Sequence, residues 1–246
     1  KEISIELAKA ALEGFNITYR DLNQQQQQEV DRRIELETAI AKEEGEELYF
    51  LHCNYGQLTE KREQKSFEAI CQYYKPKESK ILHWDWFKEI GGSALTDSSI
   101  AVPKQEPSRD IPITYVPFRN ANLLCAAVSW AEVIGAEAVY IGAVEEDSSG
   151  YPDCREVFFQ AFQKVIETGT KNEFPIRIIT PVLHLSKKQI VQKGMELGAP
   201  FALSWSCYLD NEEACGECES CRLRLKAFAE AGFKDPIVYK IKEEIK

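Results

Sequence analysis

The sequence has no long apolar run and no excess of positive charge. No stretch of about 18 apolar residues occurs in the 246 residues, so a membrane-spanning helix is not expected. No basic stretch leads into an apolar run near the start, which predicts a cytoplasmic protein without a secretory signal. Lysine and arginine number 30 against 40 aspartates and glutamates, a net charge of −10. This balance argues against a large tRNA or DNA footprint and is compatible with a small-molecule substrate.

Disulfide bonds are also not expected, although the sequence contains eight cysteines, because a chain without an export signal stays in a reducing compartment. Half of the cysteines are scattered, and half form a cluster near the end of the chain. The clustered cysteines are Cys207, Cys215, Cys218 and Cys221. In their spacing, C-x7-C-x2-C-x2-C, a C-x2-C turn points two thiolates at one centre, and Gly216 lets the backbone make that turn.

Four thiolates complete a tetrahedral zinc shell with no open position for water, so the spacing predicts a structural zinc site without a catalytic role. An iron–sulfur cluster also uses four cysteines, and an oxidised or metal-free cluster is a third interpretation. Directly after the cluster, Arg222, Arg224 and Lys226 either face an anionic ligand or form the solvated basic side of a helix. Arg222 is the strongest candidate of the three, because it adjoins the rigid metal-binding segment.

Apolar segments typical of strands alternate with helical segments over most of the chain. The strand candidates are residues 47–57, 79–87, 136–144 and 176–183, and the helix candidates are residues 1–20, 34–44, 120–135 and 186–198. Ser186 is the expected N-cap of the last helix. Nearly continuous apolar strands between helices predict an α/β fold with a doubly wound parallel sheet. In such sheets ligands bind beyond the carboxyl ends of the strands.

Two polar segments are candidates for phosphate, carboxylate or adenine binding. Arg119 and Asn120 stand at the start of a buried helix, where free backbone N–H groups bind anions. Taken alone, Asn120 as a simple helix cap is the stronger interpretation. Residues 53–57 end a strand, where the backbone either meets an adenine or is shaped into a turn by Asn54 and Gly56.

A third polar segment, residues 145–156, follows a buried strand, which is a natural place for ligand recognition. Its Gly-Tyr-Pro-Asp sequence is equally good turn chemistry, so an ordinary surface loop is the alternative. Cys154 has no histidine near it in sequence, and we expect a small buried cysteine rather than a nucleophile.

Several motifs together resemble one known family. They are "IGGSALTD" (90–97), "YVPFRN" (115–120), "SGYPDCRE" (149–156), "LSKKQI" (185–190) and "SWSCYLDNEEACGECESCRLRLKAFAEAG" (204–232). Their order and content resemble the 7-cyano-7-deazaguanine synthase, or QueC, family from about Thr38 to Ile237. The resemblance implies a PP-loop fold, which is Rossmann-like and of the adenine nucleotide alpha-hydrolase type, with a C-terminal zinc-binding helical segment.

The resemblance also implies the chemistry. The family converts 7-carboxy-7-deazaguanine and ammonia to 7-cyano-7-deazaguanine, a queuosine precursor, and uses ATP with magnesium. The carboxylate is adenylated with release of pyrophosphate, ammonia displaces AMP to give an amide, and a second activation dehydrates the amide to the nitrile. The substrate is a free base, so no nucleic acid need bind. Free ammonia is the expected nitrogen source, zinc is structural, and a homodimer is common for this family type.

Residue roles follow from the resemblance, position by position. The implied catalytic residues are Arg119, Asp153 and Arg155, and the implied nucleotide-binding residues are Asn54, Tyr55, Gly56, Gln57, Asn120 and Lys187. The implied substrate-binding residues are Ser149, Gly150, Tyr151 and Asp153, with Asp153 as the acceptor for the guanine-like N–H groups. The implied zinc ligands are Cys207, Cys215, Cys218 and Cys221.

The sequence departs from the family at its beginning. Members of the family begin with an apolar strand and a Gly-rich S-G-G-x-D-S loop that holds pyrophosphate, and neither is found in this sequence. We therefore divide the chain into an atypical Gln-rich segment (1–36), a PP-loop-type α/β domain (37–203) and a zinc-binding segment (204–246). The competing functions are a deazaguanine- and zinc-binding protein without catalysis, and a related enzyme acting on tRNA or protein.

Overall fold

The computed structural model describes residues 30–43, 47–102, 111–145, 151–171 and 175–240. Within these ranges the elements are, in chain order, α1 (Val30–Glu43), β1 (Tyr49–Asn54), α2 (Glu60–Tyr74), β2 (Glu78–His83), α3 (Trp86–Ile90), α4 (Arg119–Ile134), β3 (Ala138–Tyr140), a 3-10 turn (Pro152–Cys154), α5 (Glu156–Gly169), β4 (Arg177–Ile179), α6 (Lys187–Glu196) and α7 (Glu219–Ala231). Strands alternate with helices, as predicted. The helix predicted over residues 1–20 lies outside the described residues.

The strands pair in parallel, which confirms the predicted α/β class. β1 pairs with β2, with Tyr49 opposite Glu78, and β3 pairs with β4, with Ala138 opposite Arg177. Each strand is shorter than its apolar segment. The second strand ends at His83, for example, because a short helix begins at Trp86 and takes up the rest of the segment.

Within the described ranges the two strand pairs are separate sheets, and no ladder joins β1 to β3. The carbonyl of Asn54 accepts a hydrogen bond from the Trp84 N–H at 2.7 Å, on the side of β2. Successive residues of a strand direct their backbone groups to opposite sides, so Leu51 and Cys53 direct theirs away from β2. A cavity lies on that side, between β1 and β3.

Helices hold the two strand pairs in place. Leu36 and Ile40 of α1 pack against Val144 and Val182, which follow β3 and β4. α6 begins at the predicted cap: the Ser186 hydroxyl accepts the backbone N–H of Gln189 at 3.2 Å, and the Gln189 side chain accepts the Ser186 N–H. Among the described helices, none is long and apolar enough to cross a membrane.

The C-terminal segment is fastened by a fully buried ion pair. The guanidinium of Arg224 donates to both carboxylate oxygens of Asp235, at 2.6 and 2.9 Å, and also to the Ser204 hydroxyl and the Phe201 carbonyl. Tyr239 donates to the same carboxylate at 2.7 Å. Arg224 therefore joins α7 to the segments before and after it. This contradicts both interpretations of Arg224 in the sequence analysis, because the side chain faces neither a ligand nor solvent.

Replacing Arg224 with methionine should destabilise the protein strongly. The substitution leaves the Asp235 carboxylate buried without its cation, and such a loss costs about 3–5 kcal/mol. We expect the free energy of unfolding, measured in urea, to fall by that amount. Lys226 is the control, because its contact with Glu230 at 3.8 Å is half exposed and Lys226→Ala should cost less than about 1 kcal/mol. Equal losses in the two variants would contradict the assignment.

Candidate active site and metal centre

One cavity of about 370 Å³ runs between β1 and β3 and continues past their carboxyl ends. Its walls between the strands are largely apolar and include residues of α4. Beyond the strands it becomes polar, and this polar end is lined by Tyr55, Gln57, Thr59, Glu63, Arg119, Asn120, Tyr151, Trp205, Ser206 and Tyr208. The polar end therefore stands where ligands bind in open parallel sheets.

The structure brings five of the predicted site residues to this polar end. They are Tyr55, Gln57, Arg119, Asn120 and Tyr151. The described cavity wall does not include Asn54, Gly56, Asp153, Arg155 or Lys187. Ser149 and Gly150 lie outside the described residues.

Arg119 is the only arginine in the described part of the cavity wall, and it is 9% exposed. Its Nη1 donates to the Tyr55 hydroxyl at 3.1 Å, and its Cζ lies 5.5 Å from the centre of the Tyr55 ring. Burial alone would lower the pKa of Arg119, but Tyr55 and the charge of Asp153 raise it, so the guanidinium keeps its charge. A buried cation at this position attracts an anionic ligand group.

The backbone before Arg119 adopts a conformation that is rare for a large residue. Phe118 has φ = 58° and ψ = 26°, in the left-handed region, at the start of α4. Such a conformation costs about 1–2 kcal/mol for an L-residue. Its N–H donates to the Tyr115 hydroxyl at 2.9 Å, and the Asn122 side chain donates to its carbonyl at 2.9 Å. These contacts hold the turn that directs Arg119 inward.

Asn120 and Asp153 connect the start of α4 to the 3-10 turn. The Asp153 carboxylate accepts the backbone N–H of Asn120 at 2.9 Å, and the Asn120 side chain donates to the Asp153 carbonyl and to Cys154 Sγ. Asn120 is therefore not the N-cap, a position that Phe118 occupies. Burial raises the pKa of Asp153, while the Asn120 N–H and Arg119 oppose that shift. The charge of Asp153 thus stabilises the Arg119 guanidinium, and its Oδ2 holds the turn through the hydrogen bond from Asn120.

The segment after β1 is a tight turn built by its own side chains. Gln57 accepts the Tyr55 N–H at 2.9 Å and donates to Glu63 at 2.9 Å. Gly56 has φ = 80°, and an added Cβ would lie 2.2 Å from Cε of Lys88. Asn54 is bound to Gln64 at 3.0 Å, away from the cavity. The interpretation of Asn54 and Gly56 as turn residues therefore fits this geometry, whereas Tyr55 and Gln57 reach the cavity.

The remaining predicted residues lie around the site. Arg155 is exposed, and its Nε donates to the Pro152 carbonyl at 3.2 Å. Lys187 is buried in the first turn of α6. Tyr151 is buried, and its hydroxyl shares a hydrogen bond with Thr114 at 2.9 Å. Cys154 is buried, as expected of a structural cysteine.

Among the residues of the polar end that sequence analysis missed, three lie next to one another in the chain, namely Trp205, Ser206 and Tyr208. All three flank Cys207 in the segment "SWSCY", so proximity to a predicted metal ligand was the available signal. Burial raises the pKa of Tyr208 well above its ordinary value, so this hydroxyl stays protonated. These residues carry the C-terminal segment into the wall of the cavity.

The four clustered cysteines meet as predicted for a metal centre. Their sulfurs all lie within 4.8 Å of one another, and no disulfide joins them. Backbone N–H groups of Leu209 and Cys215 point at Cys207 Sγ, and the N–H of Cys218 points at Cys215 Sγ at 3.2 Å. Such N–H groups stabilise thiolates. The donor set fits a tetrahedral zinc ion, which would tie residues 207–221 together.

When no cation is bound, the ionisation of one thiol in this cluster disfavours the ionisation of its neighbours. Hydrogen bonds from Cys218 and Cys221 lower the pKa of Cys207. The same pairing and burial raise the pKa of Cys218 to about 12, and raise that of Cys221 as well. A divalent cation relieves this opposition, because it binds all four sulfurs as thiolates.

The comparisons with known proteins all point to one family. The family model described as "Queuosine biosynthesis protein QueC" matches residues 35–232. The chain belongs to the QueC family. It is 57% identical over 203 residues to the 7-cyano-7-deazaguanine synthase of Chlorobium chlorochromatii, covering 82% of this chain and 89% of the relative. The synthases of Chlorobaculum parvum (52% over 208 residues, covering 84% and 92%) and Acidobacterium capsulatum (57% over 198 residues, covering 78% and 86%) are similar. QueC membership agrees with the PP-loop-like α/β fold and the four-cysteine cluster.

Replacing Cys218 with serine should remove the metal and loosen the C-terminal segment. The substitution removes one of four sulfurs, and structural zinc contributes directly to folding. We expect zinc content, measured by mass spectrometry, to fall from one ion per chain to none. The free energy of unfolding should fall by an amount on the order of 5 kcal/mol. The exposed Cys125, outside the cluster, is the control, and Cys125→Ser should keep its zinc. Zinc retained by Cys218→Ser would refute the site.

Proposed function

We propose that this chain is an ATP-dependent ligase that converts 7-carboxy-7-deazaguanine and ammonia to 7-cyano-7-deazaguanine, in the synthesis of the queuosine precursor. The observation that carries the proposal is the buried, charged guanidinium of Arg119 at the polar end of the cavity. The names of relatives at 52–57% identity support the same reaction. An enclosed cation suits a small substrate that carries a carboxylate.

The proposed reaction has two activations by ATP with magnesium. A carboxylate oxygen attacks the α-phosphorus, and pyrophosphate leaves. Ammonia then attacks the acyl carbon, and AMP leaves to give the amide. The amide oxygen attacks the α-phosphorus of a second ATP, pyrophosphate leaves again, and loss of AMP and protons gives the nitrile. The largely apolar walls of the cavity favour these steps, because they limit the access of water to the acyl adenylate.

Arg119 has the central role in this scheme. Its guanidinium binds the substrate carboxylate and stabilises the negative charge that develops during adenylation. The Tyr55 hydroxyl, at 3.1 Å, and the charge of Asp153 hold the guanidinium in place. Asp153 is therefore a positioning residue here, rather than the direct acceptor of the base N–H groups. Tyr151, beside Arg119 in the cavity wall, contacts the base.

Other parts of the site have supporting roles. Tyr55 and Gln57 line the cavity after β1, where we place the adenine side of the nucleotide. Zinc takes no part in any step, and fixes the segment that carries Trp205, Ser206 and Tyr208. Free ammonia is the nitrogen source in this proposal.

One observation favours a second function, a deazaguanine- and zinc-binding protein that does not adenylate. The sequence contains no S-G-G-x-D-S loop to hold pyrophosphate. In the described part of the chain, the cavity also continues between β1 and β3, where no strand joins the two pairs. Both functions use the same polar end, so they differ only in whether ATP is cleaved.

The deciding experiment gives this polypeptide ATP, magnesium, ammonium and 7-carboxy-7-deazaguanine. AMP is measured by chromatography and the nitrile by mass spectrometry. The ligase produces AMP only when the base is present, with two AMP formed for each nitrile. Zinc-loaded, folded protein that binds the base and yields no AMP would instead be the non-adenylating binding protein.

Arg119→Ala should lower kcat/KM by about 100-fold or more, since loss of one charge-stabilising donor has effects of that size. Lys188→Ala is the matched control, because this exposed cation lies at the start of α6, outside the described cavity wall. Circular dichroism checks that both variants fold. Full activity in folded Arg119→Ala would remove Arg119 from the mechanism.

A further inference from the structure

Two side chains at the polar end of the cavity have buried polar atoms without a hydrogen-bond partner in the described part of the chain. They are Nε1 of Trp205, which is 2% exposed, and Oγ of Ser206, which is 9% exposed. Both residues line the cavity, as does Arg119, whose Nε also has no partner. Nearly all buried polar groups in proteins are hydrogen-bonded. Three such atoms in one cavity wall therefore mark a place where a ligand completes the hydrogen bonds.

Ser204, two residues before Ser206, differs from it in its hydrogen bonds. Ser204 is fully buried, but its hydroxyl donates to the Phe201 carbonyl at 2.8 Å and accepts a hydrogen bond from Arg224 Nη1 at 2.8 Å. Its hydrogen bonds are therefore complete within the protein. Ser204 stabilises the fold, whereas Ser206 gains no hydrogen bond from the described residues.

The orientation of Trp205 is fixed without the use of its N–H group. The ring packs in a cluster with the zinc-site residues Cys207, Cys218 and Cys221. The guanidinium carbon of Arg62 lies over the Trp205 ring, 4.3 Å from its centroid. The indole N–H is thus held in place by packing and a cation–π contact, ready for an acceptor. The rigid metal-binding segment sets the position of Ser206 through its neighbour Cys207.

We propose that Trp205 Nε1 and Ser206 Oγ bind the polar edge of the deazaguanine ring and determine the preference for this base. The inference rests on the proposed function and adds two residues to it. An indole N–H donates, and a hydroxyl both donates and accepts, which suits a ring edge with a carbonyl next to an N–H. Because both atoms are enclosed, they serve a small planar base.

The test compares the variants Ser206→Ala, Trp205→Phe and Ser204→Ala in the zinc-loaded protein. Calorimetry measures the dissociation constants of 7-carboxy-7-deazaguanine and of an ATP analogue that cannot be cleaved between its α and β phosphates. Thermal unfolding of the ligand-free protein is followed in parallel. Trp205→Phe keeps an aromatic ring beside Arg62 but removes the N–H donor together with part of the indole, so its unfolding midpoint is compared with that of the unaltered protein.

Ser206→Ala and Trp205→Phe should each weaken base binding about tenfold and leave the affinity for the ATP analogue unchanged. Ser206→Ala should also leave the unfolding midpoint unchanged or raise it, because it removes an unsatisfied buried hydroxyl. Ser204→Ala should do the reverse, with a midpoint lower by about 2–4 °C or more and normal base affinity.

Two results would overturn the assignment, and they are distinguishable. If the unaltered chain binds the base and both cavity variants bind it equally well, the roles of Trp205 and Ser206 are wrong and the proposed function stands. If the unaltered, folded chain does not bind the base at all, the proposed function and this inference both fail. A loss of affinity for the ATP analogue alone would indicate that the two residues bind the nucleotide. It would refute their role in the preference for the base.

Discussion

The buried positive charge of Arg119 is the constraint on which the arrangement of the site depends. A guanidinium away from water is tolerated only when nearby groups compensate it. Two separate parts of the chain supply this compensation, the end of β1 through Tyr55 and the 3-10 turn through Asp153. A third part, the left-handed turn at Phe118, directs the side chain inward. Among the described residues, its Nε has no hydrogen-bond partner. In the proposed function, the site is therefore organised in advance for an anionic ligand.

The two parallel strand pairs explain why residues from distant segments line one cavity. Both pairs end at the polar end of one cavity, so residues after β1 and β3 face the same space. The cavity also extends back between the strands, where described residues form no ladder. Backbone groups of Leu51 and Cys53 point toward this space. Among the described residues, a cavity rather than a strand therefore lies between the two pairs.

Local sequence patterns predicted the parts of the structure that depend on neighbours in sequence. The N-cap at Ser186 and the cysteine cluster follow from residues at most 14 positions apart, and both are found as predicted. The contacts of Asp153 could not be predicted in this way, because its partner Asn120 is 33 residues away and only the fold brings them together. Arg224 was misread for a related reason: its helix position suggested a solvated side, and only the packing of α7 reveals that it is buried against Asp235. Ser206 has no pattern of its own, and only the lack of a partner for its hydroxyl among the described residues distinguishes it.

The most direct test of this account measures how Arg119 recognises a carboxylate. Calorimetry gives the affinities of 7-carboxy-7-deazaguanine and of the uncharged 7-cyano product, for the unaltered chain and for Arg119→Ala. The account predicts that the unaltered chain prefers the carboxylate by about tenfold or more, or 1.4 kcal/mol, and that this preference disappears in the variant. An equal preference in both proteins would place the carboxylate elsewhere and contradict the central role of Arg119.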